Sequence, residues 1–253
     1  MGSARTAPAR HFDALAGSGL WATLYEGPET AANTSFRVRL SRALELIPND
    51  TRRVLDLGCG PGPLAGALLN RGATYVGVDF VQGMLLQARE RHPRTHLTRG
   101  NERLPFRESS FDAVVALGFL EYLNDPVEAF REMWRVVRRG GTVVVSTPKR
   151  LHVDVVTVGV TAPLRALASL IWGRRADRVR RLRLSPSEMD RVAADAGLTP
   201  ERGTHYHFTP LPYPLTILTP RLALWAGRAL EEWPLRTSLT FFAHGYIGRY
   251  RRD

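Results

Sequence analysis

Cysteine is nearly missing from this chain of 253 residues: Cys59 is the only one. No intrachain disulfide can form and no cysteine-based metal site can be built, which fits a reducing, cytoplasmic setting. Lysine is just as scarce, with Lys149 alone against many arginines. Acidic residues fall short of basic ones, 24 against 35, leaving a formal net charge of +11. That imbalance has two readings. One is attraction to nucleic acid, anionic lipid or an acidic substrate. The other is the codon bias of a GC-rich genome, which favours arginine over lysine. Residues 1–10 lack the apolar stretch of a signal peptide, so none is expected. No internal repeat is visible. Hydrophobic residues still make up 44% of the chain, enough for a globular core and too many for global disorder.

The middle third alternates strand-like and helix-like runs, as a parallel α/β sheet requires. Strands are expected at 53–57, 74–78, 95–99, 111–116 and 142–147, with helices at 63–71 and 82–91 between them. The second helix stops before Pro93, because the residue ahead of proline resists helical dihedrals. Asp125-Pro126-Val127-Glu128 combines a cap residue, proline at the first turn and an acid at the third position. It opens a helix expected to reach about residue 138, ended by Gly140-Gly141. Ser185-Pro186-Ser187-Glu188 repeats the signal for a helix closed by Gly197. Later strands are expected at 199–207 and 239–249. Two connections, 151–184 and 208–236, are longer than a sheet of this kind needs, and such insertions tend to carry function.

The sharpest local signal is Val54-Leu55-Asp56-Leu57-Gly58-Cys59-Gly60-Pro61-Gly62. A buried strand runs into a glycine-rich turn and then a helix. Gly58 and Gly60 allow positive φ and present no Cβ, so a ligand can lie against backbone beside a helix N-terminus. The dinucleotide fingerprint wants its third glycine where Pro63 stands. The spacing is instead Gly-x-Gly-x-Gly after Asp56, which resembles motif I of the class I S-adenosylmethionine (SAM)-dependent methyltransferases. Asp79 ends the second strand, where an acid can accept two hydrogen bonds from a ribose diol. Gly100-Asn101-Glu102-Arg103-Leu104-Pro105-Phe106 resembles the adenine-binding segment of that family, with Asn101 in place of its aspartate. Ser110 to Val114, then Leu117-Gly118-Phe119-Leu120-Glu121-Tyr122, resemble its fourth motif. Arg135 to Gly141 resembles its closing Gly-Gly segment, with Arg139 replacing proline. The resemblance covers residues 51 to 148 densely.

It implies a doubly wound, seven-stranded, mostly parallel sheet. An N-terminal helical cap would occupy residues 1–50, and a SAM-binding domain with two lid insertions would occupy residues 51–253. It implies SAM as cofactor, held by Asp56, Gly58, Cys59, Gly60, Gly62, Asp79, Phe80, Met84, Asn101, Glu102, Leu117 and Gly118. Tyr25 and Arg37 are candidates for the methionine carboxylate, since a guanidinium meets a carboxylate through two parallel bonds. Met84 is equally explained by core packing, Arg37 by a solvated helix face, and Cys59 as a small residue in a tight turn. No metal site is expected.

Methyl transfer needs alignment and desolvation above all, and a base only when the acceptor must lose a proton. Candidates for that base, by their place near the carboxyl ends of the strands, are His152, Glu121, Tyr122, His205 and His207. Residues 153–172 are apolar but contain Asp154, Pro163 and Arg165, against a membrane span. Arg174, Arg175, Arg178, Arg180, Arg181 and Arg183 follow. The 151–184 segment suits a lid over a lipophilic substrate or a peripheral membrane contact; ordinary lid packing with a solvated arginine face explains it as well. The leading expectation is methylation of a small, lipophilic metabolite such as a quinone, polyketide, terpenoid or lipid. The arginines look too local for a nucleic-acid groove. An RNA or protein methyltransferase, and a non-catalytic SAM-binding or membrane-surface module, are the alternatives.

Overall fold

The computed structural model describes residues 12–13, 16, 20–30, 33–100, 103–123, 125–150, 182–209, 218–232 and 240–253. His152, Asn101, Glu102 and most of both insertions, including the arginine run at 174–181, lie outside the described residues. The strands are β1 (Arg53–Leu57), β2 (Thr74–Asp79), β3 (His96–Arg99), β4 (Phe111–Leu117), β5 (Val137–Pro148), β6 (Leu198–Phe208) and β7 (Ala243–Arg252). The helices are α1 (Leu20–Tyr25), α2 (Thr34–Leu46), α3 (Ala65–Asn70), α4 (Gln82–Arg91), α5 (Pro126–Val136), α6 (Pro186–Asp195) and α7 (Pro220–Glu232).

All seven strands join one sheet in the order β3-β2-β1-β4-β5-β7-β6. The first five run parallel, and β7 is antiparallel to both β5 and β6. β6 therefore runs with the parallel set. Six strand tips face one edge, and the order reverses between β1 and β4, the place where open α/β sheets open a ligand crevice. Val54, Leu55, Val114, Val115, Val143, Val144 and Val145 are fully buried, as strands covered on both faces must be. One core layer packs α5 and α6 against the sheet; the other packs Ala43, Leu46 and Ile47, at the end of α2, against Val144, Tyr206 and Ile247.

The start signals at α5 and α6 are realised in detail. The Asp125 carboxylate accepts from the Val127 and Glu128 amides at 2.9 and 3.2 Å, and Ser185 and Glu188 form a reciprocal capping box. Two boundaries differ from expectation. Helix α5 stops at Val136, and Gly140-Gly141 lies inside β5 instead of ending the helix. Val137 already pairs with Phe111, and the register shifts before Ala113 pairs with Thr142. Arg252, stacked 3.9 Å over Trp134, donates to the carbonyls of Trp134 and Val137 at 3.0 and 2.8 Å. A cation there fits the negative end of a helix dipole and satisfies its last carbonyls. β7 begins at Ala243, not 239, because Thr240–Phe242 forms a 3-10 turn.

Candidate active site: a cradle and a buried polar cluster in one cavity

A cavity of about 860 Å³ opens at the strand tips. Its floor is the β1 turn. Gly60 sits at φ +53°, a Cβ there would meet open space, and its amide donates to Asp79 Oδ2 at 2.9 Å. The Val81 amide donates to Asp79 Oδ1 at 2.8 Å, so both carboxylate oxygens are aimed by backbone. The Gly58 and Cys59 amides donate to the Val78 carbonyl, locking the two strand tips together. Gly100 donates to the Asp79 carbonyl and brings the segment after β3 to the same rim. Phe80 and Met84 line the cavity. Met84 also packs with Ala16 and Val81, so its two readings describe one position.

Two buried carboxyl groups stand under this floor. Burial pushes Asp56 up to about 7, against the pull of the Tyr75 hydroxyl that donates to its Oδ2 at 2.6 Å, with Asp79 adding to the rise. Asp79 is also raised by burial, partly offset by its three backbone bonds. Burial raises Cys59 well above the ordinary thiol range, which suits a packing residue and not a nucleophile.

The side wall is a polar cluster that sequence reasoning did not find. Arg39, on α2, stands beside the phenols of Tyr25 and Tyr206 and interacts with both; Tyr206 also stands beside Ser146. Burial works against the Arg39 charge, but Tyr25, Tyr206 and Glu121 outweigh it and hold the guanidinium protonated. Gly118, at φ +67°, lies so close that a Cβ would stand 2.8 Å from Arg39 Nη1. The Gly118 amide donates to Ser146 Oγ at 3.0 Å. Arg39 Nε and Trp21 Nε1 are buried donors with no hydrogen-bond partner among the described residues. Above them Phe12, Trp21, Phe36 and Tyr122 form an aromatic wall, with Phe12 4.9 Å from Tyr122 edge to face.

Tyr25, Asp56, Gly58, Cys59, Gly60, Asp79, Phe80, Met84, Leu117, Gly118, Glu121 and Tyr122 all line this cavity. Arg37 does not: its guanidinium turns to the Gly27 carbonyl, and Arg39, two residues on, faces the cavity in its place. Gly62 packs against Ala88 and His92 instead. His205 also stands outside, against Tyr246, and burial pushes it down to about 4. His207 holds a left-handed φ of +55° and places its ring 5.7 Å from that of His244, which does line the cavity. An i, i+2 pair on a helix faces nearly opposite ways, so only one of Arg37 and Arg39 can enter the cavity, and the packing of α2 makes it Arg39.

A glycine cradle with open space at Gly60, a buried carboxylate facing it and unpartnered donors on the side wall together fit an adenosyl cofactor with a carboxylate tail. The fold is shared with class I SAM-dependent methyltransferases. Residues 55–145 match the methyltransferase domain family, and SAM is the cofactor of that family. A probable SAM-dependent methyltransferase of Mycolicibacterium smegmatis is 36% identical over 40% of this chain and 39% of its own length. A ubiquinone biosynthesis O-methyltransferase of Hydrogenovibrio crunogenus is 28% identical over 69% of this chain and 73% of its own. The chain thus spans about two fifths of the first relative's length. The fold is shared with the magnesium protoporphyrin IX methyltransferase of Synechocystis PCC 6803 with bound SAH. The TM-score is 0.64 at 15% identity, covering 99% of this chain and 100% of that one. No helix among the described residues is long and apolar enough to cross a membrane.

Proposed function

We propose that the chain transfers the methyl group of SAM to a small, lipophilic acceptor of the quinone, polyketide, terpenoid or lipid-like classes. The observation that carries this reading is the continuity of one cavity from the glycine cradle to the aromatic wall of Phe12, Trp21, Phe36 and Tyr122. A planar or greasy acceptor is desolvated by such a wall. The ubiquinone-pathway relative supports a small acceptor.

Asp79 receives the ribose hydroxyls while its backbone partners hold it in place, and Phe80 and Met84 lie against the adenine. Gly60 leaves room for the cofactor chain. Arg39, with Tyr25 beside it, takes the methionine carboxylate in the role that sequence assigned to Arg37. SAM supplies an activated methyl on its sulfonium. The protein's part is alignment and exclusion of water. Glu121 and His244 are cavity side chains able to take a proton from an acceptor hydroxyl, and Tyr122 stands beside them on the cavity wall.

Incubation with methyl-labelled SAM and a fractionated lipid and metabolite extract tests the reading. Label is expected in organic-soluble small molecules, and label confined to protein or nucleic acid would overturn it. Calorimetry tests the cofactor half separately.

A further inference from the structure

Asp56 takes no part in the ribose, adenine or carboxylate contacts, yet it is a titratable group at the centre of the site. It is 3% exposed and pairs across the sheet with Gly77 on one side and Val115 on the other. It also lines the cavity. Asp79 has both of its oxygens aimed by the Gly60 and Val81 amides. Asp56 is held differently. Among the described residues its carboxyl takes one hydrogen bond, from the Tyr75 hydroxyl to Oδ2 at 2.6 Å, and no backbone amide. A carboxyl tied at one oxygen in an apolar strand is easily kept protonated, and a cation brought beside it favours its ionised form.

The titratable and charged groups around it are Tyr75 and Asp79 on β2, Cys59 in the turn, Tyr25 on α1 and Arg39 on α2. Arg39 is the one cation of these five, and Tyr25, Tyr206 and Glu121 already engage it. Burial outweighs the help of Tyr75 and Arg39, so Asp56 titrates at about 7 and is shared between its two forms near neutral pH.

Position says which cation completes it. Asp56 interacts with Asp79 on one side and Arg39 on the other. On the SAM reading, Asp79 takes the ribose and Arg39 the carboxylate. The sulfonium is the atom that joins the ribose arm of SAM to its amino-acid arm, so the positive centre falls between those two holders, where Asp56 stands. SAH has the same two arms joined by a neutral thioether. We propose that Asp56 sets the preference of the site for the charged cofactor over its uncharged product, giving up a proton when SAM arrives and keeping it when SAH does. This rests on the SAM reading and goes beyond it. A bound cation lowers the Asp56 pKa, so the proton leaves wherever the free protein still holds it, below about pH 7. SAM affinity therefore falls as pH drops through that region.

Titration calorimetry of the full chain at about pH 6.5, in two buffers of different ionisation enthalpy, counts the proton. SAM should release about half a proton or more per site, and SAH less than half as much. From about pH 7 to pH 6, SAM affinity should fall by about fivefold and SAH affinity by less than about twofold. Asp56→Asn keeps the shape and an acceptor for Tyr75 but does not titrate, so it should abolish the release and bring the two pH profiles together. Tyr75→Phe withdraws the phenol that favours the ionised form and should move the release to higher pH, a second test should Asp56→Asn fold poorly. Equal release with SAM and SAH overturns the proposal and leaves the SAM reading standing, as does a release that survives Asp56→Asn. Failure of folded protein to bind either molecule sinks the SAM reading, and the proposal with it.

Discussion

The two sides of the cavity are made differently. On the β1–β2 side the wall is backbone. Gly58, Cys59, Gly60 and Val81 present amides whose places follow from a few consecutive residues at two adjacent strand tips. On the β5–β6 side the wall is side chain. Arg39, Glu121, Ser146 and Tyr206 come from four elements spread over more than half the chain and hold one another by polar contacts. A backbone cradle is insensitive to most side-chain changes but intolerant at its glycines and its one aiming carboxylate. A side-chain cluster can be altered piece by piece, with losses that depend on the partner left behind. The cradle suits a constant cofactor, and the cluster is where an acceptor and the cofactor's tail can be accommodated differently.

The largest effect expected from that contrast is at Asp79. Asp79→Ala strips the acceptor from the Gly60 and Val81 amides, two hydrogen bonds to a charged group worth about 1.5–3 kcal/mol each. SAM affinity by calorimetry should fall by more than about tenfold. An unchanged affinity would show that the cradle does not hold the cofactor.

Asp56 should make stability depend on pH in an unusual direction. In the fold it titrates at about 7, whereas an exposed aspartate does so at about 3.9. Below the lower value both states are protonated. Between the two, the unfolded chain gives up its proton and the fold keeps it, so unfolding free energy falls as pH rises and levels off above about 7. The slope amounts to a few kcal/mol at most, about 2–4. Urea unfolding across that window should show it, and Asp56→Asn should flatten it. A slope that survives the substitution assigns the effect elsewhere.

Arg39 and Arg37 provide a matched pair. Arg39→Ala leaves Glu121 and two phenols without their cation, a loss of about 1–3 kcal/mol once partial exposure is allowed for, and should weaken SAM binding about tenfold. Arg37→Ala loses one bond to the Gly27 carbonyl, about 0.5–1.5 kcal/mol of stability, and should leave SAM binding nearly as it was. The reverse ranking would return the carboxylate role to Arg37.

The same pair shows where sequence was legible. Asp56 to Gly62, Asp79, and the cap signals at Asp125 and Ser185 state their structures within a few residues, because turn geometry and capping are local. Gly140-Gly141 misled for the opposite reason. A glycine pair reads as a helix stop, yet pairing with β4 drew Val137 into a strand first. Arg39, Tyr206 and His244 carry no local signature at all. Each is ordinary in its own segment, and only the β5-β7-β6 order brings β6 and β7 over α2. His205 and His207 sit on the right strand, but alternation turns Tyr206, between them, toward the cavity.

Tyr206→Phe is the smallest step and the finest probe of the cluster. It keeps the ring in the core and removes a hydroxyl that interacts with Arg39 and Ser146. The cost in stability should be about 1 kcal/mol, because the two partners retain other polar neighbours. If the phenol only positions the guanidinium, SAM affinity should drop by a small part of the Arg39→Ala loss. The double variant should then bind no worse than Arg39→Ala alone, a non-additive cycle. If the two losses add, or if Tyr206→Phe alone equals Arg39→Ala, the hydroxyl meets a ligand directly. The side-chain wall then has two independent contacts where the structure suggests one contact and its support.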